Sequence, residues 1–125
     1  MSLVLQIVSS EILYFLAIAS GIWLSHTGKP LSPWILSLHI MIGFGTVILT
    51  SWAIWNLLQI EVITNGILVL VISLGALIVG LIGSGILLSF DGGYNNQYLR
   101  THNITTILGI IVSTITIYLL GGTNL

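Results

Sequence analysis

Residues 20–25 read SGIWLS and residues 84–89 read SGILLS, an offset of 64. Working outward, His39 follows Ser25 by fourteen residues and His102 follows Ser89 by thirteen. Beyond the histidines the halves stay aligned at an offset of 63, with Thr50-Ser51 on Ser113-Thr114 and Ile54-Trp55 on Ile117-Tyr118. A helical pair used twice places its histidines by pseudo-symmetry. The pattern reads as a parallel duplication, with halves of about residues 1–60 and 64–123 related by an axis along the membrane normal.

The membrane enters through composition. Of 125 residues, 56% are hydrophobic and 4% charged, and the mean hydropathy is +1.16. A soluble domain carries about 25% charged residues. This chain cannot cover a water-facing surface, so an integral membrane protein is expected, in the plasma membrane of a prokaryote. The net charge of −1 and the lack of any basic groove leave no place for nucleic acid. No cysteine is present, which excludes disulfides, thiolate ligands, iron–sulfur clusters and thioether-linked haem. A cleavable signal peptide is not expected, because the N-terminus lacks a basic stretch and its apolar run is long.

Four apolar runs, of about residues 3–25, 33–58, 63–90 and 99–120, are separated by short polar breaks. Each reaches the ~20 residues that carry a helix across a bilayer. Backbone groups in lipid must be satisfied internally, so helices are the expected form. Pro30 and Pro33 stand where the second helix begins, a position that tolerates proline. Trp34, Tyr94 and Tyr98 sit near helix ends as interfacial aromatics. Short connections make neighbours antiparallel. The expected fold is all-α: an up-down four-helix membrane bundle built from a duplicated two-helix hairpin.

His39 and His102 then fall at similar depth on two parallel helices. A flat iron macrocycle with two neutral imidazoles suits the space between them. His39 and His102 are therefore the expected metal ligands and haem b the expected cofactor. A second haem using His26 remains open. Gly43 and Gly109 are expected to make room for the ring, although small residues also let membrane helices pack closely. Lys29 and Arg100 are the only basic side chains and flank one face, where they can pair with haem propionates. The positive-inside rule puts that face in the cytoplasm and both termini outside. Glu11 is the one carboxylate well inside an apolar run, placed for proton binding or quinone contact; its repeat equivalent is Gly75. Glu61 and Asp91 lie at helix ends and read as solvated.

At Leu38-His39-Ile-Met-Ile-Gly43, followed by a long apolar run, the chain resembles the small four-helix b-type cytochromes of membranes. It also resembles one half of haem A synthase, in which a four-helix unit uses histidines of its second and fourth helices. The resemblance covers the architecture of the whole chain. It implies axial ligation by His39 and His102. The third loop has no cysteine pair, and no glutamate stands near the histidine face. Electron transfer is thus the expected role rather than haem modification, through a subunit that is not an enzyme by itself. Expected partners are the lipid bilayer, other membrane subunits of a respiratory or redox complex, and a quinone. Two other readings compete: a cofactor-free structural subunit of a membrane complex, and a small proton-coupled transporter using Glu11.

Overall fold

The computed structural model describes residues 1–60 and 62–122. Glu61 and residues 123–125 lie outside them. Four helices make up the described chain: α1 (Leu3–His26), α2 (Pro33–Ile60), α3 (Asn65–Asp91) and α4 (Asn96–Gly121). All four are long and apolar enough to cross a membrane.

Side-chain caps decide where the helices begin. Ser2 Oγ accepts from Leu5 N–H at 3.3 Å and starts α1; Thr64 Oγ1 accepts from Ile67 N–H at 3.3 Å and starts α3. Pro33 opens α2 at the first helical position, where a missing N–H costs nothing. The expected start of the fourth helix near residue 99 is corrected to Asn96. Asn95 Oδ1 accepts from Gln97 N–H at 2.9 Å and from Tyr98 N–H at 3.2 Å, so the polar residues after it are helical. The Asp91 carboxylate accepts from the Asn95 N–H and holds that cap in place. α3 ends in a Schellman turn: Gly93 N–H donates to Leu88 O at 3.0 Å and Gly92 N–H to Ser89 O at 3.3 Å. Gly92 and Gly93 have φ of 71° and 88°, values that favour glycine.

The connections let each pair fold back on itself, so α1 packs on α2 and α3 on α4. The hairpins meet mainly along α2 and α4. At one end the two connections touch as well, with Leu31 N–H donating to Gly92 O at 3.1 Å. At the other end lies the apolar core of Ile54, Leu57, Leu74, Ile117 and Leu120.

The α2–α4 contact follows one rule. On α2 the seam runs His39, Gly43, Thr46, Thr50, Ala53, Leu57; on α4 it runs His102, Thr106, Gly109, Ser113, Thr116, Leu120. Both step by four and three residues in alternation, the period that keeps two helices in contact along a left-handed crossing. From the third position onward every member of both rows is buried. Small residues and hydroxyls dominate these rows, which lets the backbones approach closely. The halves bury equivalent positions elsewhere too: Ser20 with Ser84, Leu24 with Leu88, and Ile54 with Ile117.

Candidate functional site

At the open end of the seam stand His39 and His102. Each lies six residues inside its helix, counting from Pro33 and from Asn96, so about 9 Å along the axis in both cases. Their ring centroids are 6.1 Å apart, with an angle of 68° between planes.

Each ring is seated by the neighbouring helix of its own hairpin. Ser20 Oγ lies 2.9 Å from His39 Nδ1, and Ser84 Oγ lies 3.2 Å from His102 Nδ1. The next residue is glycine in both places. A Cβ built on Gly21 would stand 3.1 Å from His39 Cε1, and one built on Gly85 would stand 3.1 Å from His102 Cε1. Thus the Ser-Gly dipeptide of the repeat is a histidine seat: serine supplies the hydrogen bond and glycine the space.

Hydrogen-bond capacity favours one tautomer of each ring. Ser20 Oγ donates its single hydrogen to Ala17 O at 2.9 Å, and Ser84 Oγ donates to Leu81 O at 3.1 Å. Each hydroxyl can then only accept from the imidazole. His102 Nδ1 also lies 3.2 Å from Leu81 O, a carbonyl that can only accept. An Nδ1–H tautomer satisfies the serine contacts of both rings and the Leu81 contact of His102 together. In the neutral ring this leaves the lone pair on Nε2, the form that binds a metal, with Nδ1–H fixed by an outer partner.

Among the described residues no cluster of three or more His, Asp or Glu side chains could hold a bare metal ion. Two imidazoles suffice when a macrocycle supplies the other ligands. Gly43 stands one turn from His39 on the same row, and a Cβ there would meet nothing within 4 Å. Two imidazoles with ring centroids 6.1 Å apart are a donor set that could hold a haem b.

The other expected site residues stand apart from the pair. Gly109 lies two turns, about 10.5 Å, beyond His102 and away from the direction in which a helical side chain leans. Lys29 Nζ lies 5.8 Å from the centroid of the Tyr94 ring, a cation–π contact between the two connections. Arg100 precedes His102 by two residues, about 200° around the helix, and so faces away from the pair. It lines a groove of about 340 Å³ on α4 with Asn96, Leu99, Asn103, Ile104 and Ile107. His26 is exposed at the end of α1. Glu11 lines a groove of about 460 Å³ between α1 and α4 with Ile7, Thr114, Ile117, Tyr118 and Gly122.

The roles of Ser20, Gly21, Ser84 and Gly85 are not evident from spacing alone. Their only sequence signal is that the dipeptide recurs at the repeat offset. Compared with family models, with curated proteins and with solved structures, the chain matches none.

Proposed function

We propose that this chain is a membrane-embedded b-type cytochrome subunit, with one haem b held between His39 and His102. The observation that carries the reading is the pair itself: two imidazoles with centroids 6.1 Å apart, each held at Nδ1 by a serine of the neighbouring helix. The outer surface supports embedding. Phe15 is 72% exposed, Met41 72%, Val79 71% and Phe90 88%, an apolar coat that lipid can cover and water cannot. The coincidence of buried positions at offsets of 64 and 63 supports an origin by hairpin duplication.

Such a group would supply one-electron exchange between ferric and ferrous iron. His39 and His102 would hold it, Ser20 and Ser84 would orient them, and Gly43 would leave room for the ring. A larger redox complex is the natural setting, since little of the chain lies outside the helices. His39→Ala and His102→Ala test the reading directly: each should abolish the haem spectrum of the purified protein. Full haem occupancy in both variants would end it.

A structural-subunit reading has its own observation. The Ser20–His39 and Ser84–His102 bonds tie helices together without any cofactor. A folded wild-type chain that stays colourless with haem supplied would favour it.

A further inference from the structure

Below the histidine layer the α2–α4 seam contains a gap with a polar wall. Gly109 is buried, yet a Cβ built on it would meet nothing within 4 Å, and the same holds at Gly43. In the register of the two rows Gly109 lies opposite Thr46. The knob that glycine lacks would enter a hole framed on α2 by Gly43, Thr46 and Thr50.

Five hydroxyls line this seam. Four donate back to their own helix: Thr46 to Ile42 O at 2.9 Å, Thr106 to His102 O at 2.7 Å, Ser113 to Ile110 O at 3.0 Å and Thr116 to Val112 O at 2.7 Å. Thr50 departs from this pattern. Its side chain is 0% exposed, and its Oγ1 has no hydrogen-bond partner among the described residues. A buried hydroxyl without a partner is costly, and native structures rarely keep one.

We infer that the gap beside Gly109 holds an ordered water molecule, which pairs with Thr50 Oγ1 and with the free lone pairs of neighbouring seam hydroxyls. An empty cavity stays dry when its walls are apolar, whereas a polar one with two to four available partners holds water. Here the missing side chain supplies room and Thr50 and Thr46 supply partners. This water would be present with or without a haem.

A double-mutant cycle on the full purified chain, read as thermal unfolding in detergent, tests this. Gly109→Ala should lower Tm by roughly 3–6 °C in the wild type, because the new methyl takes the place of the water and strands the Thr50 hydroxyl. In a Thr50→Val background the same change should leave Tm unchanged or raise it. Additive effects, with Thr50→Val alone stabilising, would mean a dry gap and overturn the inference. Solid-state NMR of the wild type in bilayers gives a second readout. Magnetisation should pass from water to Thr50 and Gly109 but not to Leu57, and no transfer to Thr50 would equally overturn it.

Discussion

Replacing Gly21 or Gly85 with alanine should damage the histidine site while sparing the fold. In each place the new methyl would sit 3.1 Å from a histidine Cε1. Carbon atoms prefer about 3.5–4.0 Å, so the ring must retreat by about 0.4–0.9 Å. That retreat carries Nδ1 off its serine, a bond of 2.9 Å at His39 and 3.2 Å at His102. A lost hydrogen bond costs about 0.5–1.5 kcal/mol and overpacking about 1–3 kcal/mol. Together roughly 2–3 kcal/mol should be lost from ligand binding, which is about one and a half to two decades in affinity. Overall stability should move less, because alanine gains about 0.5–1 kcal/mol over glycine within a helix. Gly75 is the control: it is exposed, and a Cβ there meets nothing within 4 Å. The assay is a haem titration of apoprotein followed at the Soret band, with thermal unfolding in parallel. Gly21→Ala and Gly85→Ala should show matching losses of affinity, and Gly75→Ala none. Wild-type affinity in both seat variants would refute the reasoning.

Three further outcomes are expected. Ser20→Ala and Ser84→Ala should keep haem but weaken it about 10–100-fold each, since an outer partner orients the ligand; titration as above checks this. Asn56→Leu should cost about 1–3 kcal/mol, because Gln6, 3% exposed, loses the 2.8 Å bond that its Oε1 accepts; adding Gln6→Leu should restore most of the Tm. Gly93→Ala should destabilise by about 1–2 kcal/mol or more in thermal unfolding, since φ is 88° and the Leu31 side chain comes within 2.8 Å of the new Cβ; Gly83→Ala, with nothing within 4 Å, should not.

The four helices are legible in the sequence because run length alone separates spans from breaks. Their ends are less legible. Asn95 and Asn96 read as loop by composition, yet Asn95 is the cap that starts α4 three residues before the expected point. The pairing of His39 with His102 follows from the repeat, and the geometry agrees with it. What apolar periodicity cannot show is the seam. In helices that are apolar nearly all round, hydrophobic residues no longer mark the inner face, and small and hydroxylated residues do so instead. The row from His39 through Gly43, Thr46 and Thr50 to Leu57 carries that signal in its four-three spacing. Gly109 shows the limit of counting along one helix. It shares a row with His102 but lies two turns deeper, opposite Thr46 in the register of the seam. Arg100 shows the same for charge: proximity in sequence to His102 places it on the opposite side of α4.

The most direct measurement is the visible spectrum of the purified chain, oxidised and then reduced, with haem supplied during expression. A bis-histidine haem predicts a sharp reduced alpha band and a shifted Soret band, at one haem per chain, both lost in His39→Ala and in His102→Ala. A protein that folds, shows native helicity and stays colourless would contradict the central claim.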